Sequence, residues 1–246
     1  MAVLAGAVNS VAGGGTLLSF PAAMAWGLAS TVANATNAVA MMPGSLASAW
    51  AYRREIRASA RLLRVLALPA LAGGVTGAML LHATPVRVFD AVVPWLVLGA
   101  TLVILFQRRV SSPGAAPDRD QQRRRTLWAV ACQFAVGIYG GFFGAAMGIV
   151  TLAFLALVMA EDIQHKNAVK NLLAVLINGV ASIYFAWVGL VSVRAALIMT
   201  FGAVVGGYVG GLAARRTPAR VVRGLVVSIG LALTALLAYR AWTAAG

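Results

Sequence analysis

Apolar residues fall into eight blocks, about 2–26, 30–52, 62–82, 86–106, 127–160, 167–188, 194–213 and 219–242, separated by short polar or Arg-containing stretches. A helix needs about 20 apolar residues to cross a hydrocarbon core of roughly 30 Å, so the spacing predicts membrane-spanning helices. The fifth block is too long for one crossing: from Thr126 to Ala160 a straight helix would run roughly 52 Å. GIYGGFFGAAMG (137–148) lies at its middle and predicts a break, and AGGG (12–15) holds the equivalent place in the first block. Both blocks read as re-entrant hairpins with Gly-rich tips near the midplane. Non-helical backbone there must be packed in protein or line a wet cavity.

The chain repeats itself. LASAWAY (46–52) aligns with VASIYFA (180–186), GGVTG (73–77) with GGYVG (206–210), and TPVRV (84–88) with TPARV (217–221). Asn37 falls on Asn171, Gly6 on Gly137 and Gly13 on Gly144, at an offset that stays between 131 and 134 residues. A steady offset marks an internal duplication. The polar stretch 107–126, QRRVSSPGAAPDRDQQRRRT, separates a first transmembrane repeat (1–106) from a second (127–246) and reads as a cytoplasmic linker.

Charge sets how the repeats sit. The loop after the second block is rich in Arg, whereas the loop after the third has only Arg87. In the second half the order reverses: Arg194 alone follows the sixth block, and Arg215, Arg216, Arg220 and Arg223 follow the seventh. Equivalent loops prefer opposite sides, which predicts inverted repeats. The expected fold is therefore an all-α membrane protein of two inverted repeats, each a re-entrant Gly-broken hairpin plus three transmembrane helices. The alternative is eight full transmembrane helices in parallel repeats.

Composition agrees. Hydrophobic residues make up 61% and charged residues 11%, against about 25% charged in soluble domains. A net charge of +14 would suggest nucleic acid in a soluble chain, but 15 of the 20 basic residues cluster in three short inter-block stretches. That pattern reports topology, and nucleic acid is not an expected partner. Cys132 is the single cysteine, which excludes an intrachain disulfide and reads as a small buried hydrophobe. The N-terminus lacks a basic n-region, so neither a cleavable signal nor an extramembrane N-terminal domain is expected.

Candidate chemistry lies at the breaks and on the polar blocks. Uncapped helix N-termini direct free N–H groups and positive dipole ends at a break, which suits an anion. Gly13, Gly14, Gly15 and Thr16 form one such tip and Gly144 the other; the bland reading is close helix packing, as for Gly73/Gly77 and Gly206/Gly210. The second block carries Asn34, Thr36, Asn37 and Ser45 with an expected break at Pro43-Gly44, and the sixth carries Lys170, Asn171 and Asn178. These side chains must face the bundle, as substrate contacts or as interhelical hydrogen bonds alone. Lys170 occupies the place of Thr36 in the other repeat; binding an anion and snorkelling to the surface are both open. Lys166 and His165 are expected at the interface. The six acidic residues lie in loops or at block ends, which removes the usual carboxylate proton relay, and neither a metal-ligand set nor an ATP-binding loop is present in the sequence.

GAVNSVAGGGTLLSFPAAMAWGLASTVANATNAVAMMPGSLASAWAYRREI resembles the first repeat signature of the TauE/SafE family of sulfite and organosulfonate exporters. NAVKNLLAVLINGVASIYFAWVGLVSVRAALIM with GAVVGGYVGG resembles its second, so the likeness covers essentially the whole chain. By position, Gly13 to Thr16, Pro21, Thr36 and Asn37 match the first motif, and Gly144 and Asn178 the second. Lys170-Asn171 departs from the Thr-Ser pair associated with many members. The resemblance implies a multi-pass transporter of the bacterial inner membrane that exports sulfite, sulfoacetate or a related sulfonate. Its expected partners are the small anion and the lipid bilayer, with no cofactor; a homodimer is an open assembly. The rival readings are an intramembrane enzyme acting on a lipid-linked or small anionic substrate, and a non-transporting scaffold.

Overall fold

The computed structural model describes residues 3–6, 15–106, 119–145, 147–159, 161, 163–214 and isolated positions between 224 and 235. Among these, every regular element is helical: α1 Thr16–Ala25, α2 Ser30–Ala51, α3 Arg53–Ala58, α4 Ala60–Ala83, α5 Val86–Phe106, α6 Arg119–Phe142, α7 Met147–Val158, α8 Ile163–Trp187 and α9 Val193–Ala214. Residues 3–6 are helical as well. The eighth apolar block falls, apart from isolated positions, outside the described residues.

Two boundaries differ from expectation. The helix α6 begins at Arg119, inside the stretch read as linker. The breakers Pro113, Gly114 and Pro117 all precede it, and Gln and Arg are good helix formers, so nothing stops the helix short of them. The expected break at Pro43-Gly44 does not form: α2 runs unbroken through Pro43. A proline removes only one ladder bond, and neighbouring hydroxyls cover carbonyls nearby, with Ser45 Oγ donating to Met41 O (3.3 Å).

The break in the fifth block is present. After Phe142 the chain passes through Gly144 at φ +70° and restarts at Met147. At about 1.5 Å per residue, the 12-residue α7 and the 10-residue α1 each reach only about half of the hydrocarbon core. By contrast, Ala60–Ala83 and Gln164–Trp187 are long and apolar enough to cross it.

Close helix packing organises the interior. A Cβ on Gly73 would strike the carbonyl of Phe134, one on Gly77 the carbonyl of Ile138, and one on Gly141 the carbonyl of Gly74. Gly73/Gly77 on α4 and Gly137/Gly141 on α6 thus let two backbones touch, the small-residue packing that holds helices together in lipid. The N-terminal residues meet α9 in the same way. The Val3 carbonyl lies against Gly206 as that of Phe134 lies against Gly73, and the Ala203 carbonyl lies against Gly6 as that of Ala70 lies against Gly137.

A buried cluster shows where the broken block goes. Leu63 and Leu66 near the start of α4, Ala129 in the first half of α6, Phe154, Leu155 and Met159 at the end of α7, and Val169 and Leu173 of early α8 pack together. The end of α7 thus shares a buried cluster with the first half of α6. Trp50 and Trp128 stand exposed at that end, and Trp26 and Trp187 are exposed at the ends of α1 and α8. Exposed Leu68, Ile183 and Phe201 lie on helices between these levels. Tryptophans at helix ends with other large apolar side chains between them suit a bilayer interior flanked by headgroups. Gln133, fully buried in α6, has neither amide atom paired among the described residues, and nothing in the structure explains it.

The packing generates a prediction. Gly73→Val should lower thermal stability in detergent by roughly 1–3 kcal/mol through overpacking against α6. Gly44→Ala, inside α2 at a place where an added Cβ meets no atom within 4 Å, should leave the melting temperature unchanged or raise it slightly. Equal effects from both would remove the α4–α6 contact from the account.

Candidate functional site

The α2 sequence places Asn34, Asn37, Met41 and Ser45 three or four residues apart, on one helix face. The α8 sequence does the same with Asn167, Asn171, Ala174 and Asn178. The structure turns the two stripes toward each other across a cavity of about 250 Å³. The helices run antiparallel: Met42 of α2 lies by Gly179 of α8, while Ala33 and Ala35 share a buried cluster with Ala181 and Phe185. Thr16, the first residue of α1, and Met147 with Gly148, the first residues of α7, complete the wall together with Gly140, Gly141, Phe143 and Gly144.

Two helix N-termini therefore open on one cavity. Gly15 supplies no side-chain cap to α1; its carbonyl accepts from Leu18 N–H (3.0 Å) and Ser19 N–H (3.1 Å). At the other, Phe143 N–H and Gly144 N–H both donate to Tyr139 O, at 2.9 and 3.0 Å, and Met147 N–H donates to Gly144 O (3.2 Å). First-turn N–H groups of a helix have no partner within it, and their dipoles sum to a partial positive charge.

The amides are held in fixed senses. Ser19 Oγ lies 2.5 Å from Asn37 Oδ1 and 3.2 Å from Gly15 O, and its proton serves the shorter contact. That occupies the carbonyl end of Asn37 and leaves its NH₂ as the free donor. Asn34 is turned the other way: its Nδ2 donates to Phe142 O (2.9 Å), and its Oδ1 is buried with no partner among the described residues. The Lys170 ammonium faces the cavity with no acidic partner among the described residues. It stands two turns into α8, since the helix begins at Ile163 rather than at the block boundary.

Of the residues singled out from sequence, Thr16, Asn34, Asn37, Ser45, Gly144, Lys170, Asn171 and Asn178 line this one cavity. Thr36 does not. It is fully buried, and its Oγ1 accepts Ser192 N–H at 3.0 Å, tying α2 to the turn before α9. Gly15 sits at the α1 cap, and Gly13 and Gly14 lie outside the described residues. Sequence reasoning missed Tyr52, Asn167, Met41 and Met147. Asn167 was findable, being four residues before Asn171 on the same face; Tyr52 was not, because it lies past the end of α2. Lys166, expected at the interface, is buried.

No solved structure matches the chain. Curated relatives do. A probable membrane transporter protein of Haemophilus influenzae is 24% identical over 233 residues, covering 94% of this chain and 89% of that protein. The probable membrane transporter protein YfcA of Escherichia coli K12 is 28% identical over 242 residues, covering 97% and 87%. The probable membrane transporter protein ORF9 of a Sinorhizobium species is 28% identical over 234 residues, covering 94% and 87%. The family described as sulfite exporter TauE/SafE matches residues 1–237, a span that holds the break at Gly144 and every residue of the cavity wall. The chain belongs to the TauE/SafE sulfite exporter family.

Proposed function

We propose that the protein is a multi-pass secondary transporter of the bacterial inner membrane. On this reading it exports a small sulfur-containing anion, such as sulfite, sulfoacetate or a related organosulfonate, by alternating access. The observation that carries the proposal is the cavity. The Lys170 ammonium, two helix N-termini and the Asn37 amide converge on it, and its described lining contains no carboxylate. An oxyanion suits that set of donors, because each of its oxygens accepts hydrogen bonds and its charge is met by Lys170 and the helix dipoles. Names of the relatives support membrane transport, and the family's description supports a sulfur oxyanion.

The duplication supplies the moving parts of the reading. In an inverted pair, each half can rock against the other about a site between them. The mirrored contacts of Gly73 and Gly206, and of Gly137 and Gly6, support equivalent roles for α4–α6 and for α9 with residues 3–6. An intramembrane enzyme acting on an anionic substrate is the second reading, and it predicts turnover without flux.

Proteoliposomes loaded with purified protein should take up labelled sulfite or a sulfonate well above empty vesicles; chemical conversion of the probe without uptake would favour the enzyme, and neither would favour a scaffold. In the same assay Lys170→Ala should weaken apparent affinity at least about tenfold, equivalent to ~1.4 kcal/mol. Unchanged affinity and rate would remove Lys170 from the site. Asn37→Leu, which removes one donor and leaves Ser19 only Gly15 O as acceptor, should reduce uptake while Thr36→Val should act on stability alone.

A further inference from the structure

The cavity is not symmetric between the two ends of the bundle. At one end its wall reaches Tyr52 and Asn167, both partly exposed, where α2 gives way to Arg53 and α8 begins. At the other end the wall stops at Phe143 and Gly144, and aromatic rings close it. Phe143 meets Phe20 of α1 edge-on at 5.5 Å and Phe89 of α5 at 6.2 Å, while Phe89 meets Phe142 at 5.5 Å. Phe20, Phe89 and Phe143 are all fully or nearly fully buried. Phe89 lies one turn into α5 from the Thr84–Pro85 turn, so the rings stand between the cavity and the face on which α4 ends.

Polar atoms without partners lie at the same level. Ser30 Oγ and Asn34 Oδ1, four residues apart on one face of α2, are buried and unpaired among the described residues, and so is Ser182 Oγ, one turn past Asn178 on α8. Buried polar atoms are nearly always satisfied in a resting fold, and each unmet one has a cost. Asn34 stands at the closed end of the cavity wall, and Ser30 and Ser182 continue the two polar stripes beyond it. Groups of this kind are explained if a second conformation wets them.

We propose that Phe143, with Phe20 and Phe89, is a plug across the far half of the translocation path, and that Ser30 and Ser182, beyond Asn34, line that half when it opens. Gly144 is the hinge: its left-handed backbone, next to a ring held only by apolar contacts, lets Phe143 swing while Asn34 keeps hold of Phe142 O. The proposal rests on the transport reading for its purpose. Its geometry is testable without any substrate.

The test uses one cysteine. In a Cys132→Ala background, Ser45→Cys places a thiol on the cavity wall, and a membrane-impermeant thiol reagent is applied from each face, in intact cells and in inverted vesicles. With the plug intact, labelling should occur from the face bearing Arg53–Arg64 only. Adding Phe143→Ala should make Ser45→Cys reactive from both faces. Should Phe143→Ala fail to fold, Phe89→Ala carries the same expectation. Labelling from the opposite face with all three rings present overturns the plug. So does one-sided labelling that persists in a folded Phe143→Ala or Phe89→Ala protein, or the absence of labelling from either face. A wrong substrate class alters none of these results, so failure here and failure of the uptake assay remain distinct.

Discussion

An unwound stretch of backbone inside an apolar bundle must have its polar groups met, and the architecture around Phe142–Ala145 follows from that requirement. Tyr139 supplies much of the cover: its carbonyl takes the N–H groups of Phe143 and Gly144, and its hydroxyl donates to Ala145 O at 2.5 Å. Asn34 supplies the rest from a different helix, donating to Phe142 O. The break is thereby locked to α2, and the first turn of α7 is held at the edge of the cavity. A continuous helix would leave no N-terminus there, and an uncovered break would be too costly to persist. Glycine is required at 144 for a local reason as well. A side chain at φ +70° costs roughly 1–2 kcal/mol, and its Cβ would meet Gly140 O at 2.9 Å.

The cavity's charge is a consequence of the same economy of polar groups. Lys170 is the one ammonium on the described wall; the other donors are amides, hydroxyls and helix ends. Dipoles fixed by the fold need no reorganisation when a ligand arrives, and in a partly dehydrated cavity they act at greater strength than at a surface. Ser19 Oγ meets Asn37 Oδ1 and Phe142 O meets Asn34 Nδ2, so the two amides are held by opposite ends.

Much of this was legible in the sequence, and the parts that were not share a cause. Block spacing located the long helices, and the glycine-rich centre of the fifth block located the break, because backbone freedom and helix length are local properties. The polar stripes on α2 and α8 were legible as helix faces for the same reason. Thr36 stands about 100° round the helix from Asn37, and only the fold shows that this angle carries it to Ser192 instead of the cavity. The bond from Asn34 to Phe142 joins residues 108 apart and has no signature in either segment. Pro43 misled because local propensity predicts a broken helix, while α2 continues through it, packed against other segments.

The central claim is that two helix N-termini and the Lys170 ammonium, which has no acidic partner among the described residues, make the cavity a receptor for a small oxyanion. Ligand-dependent thermal unfolding of the purified protein tests it most directly, because a ligand that binds only the folded state raises its melting temperature. Sulfite, a sulfonate, sulfate, a carboxylate and a neutral sulfone of similar size would be compared at matched ionic strength. The account predicts a concentration-dependent rise with sulfite or the sulfonate and none with the neutral sulfone. A rise with the neutral compound alone, or no rise with any anion, would contradict it.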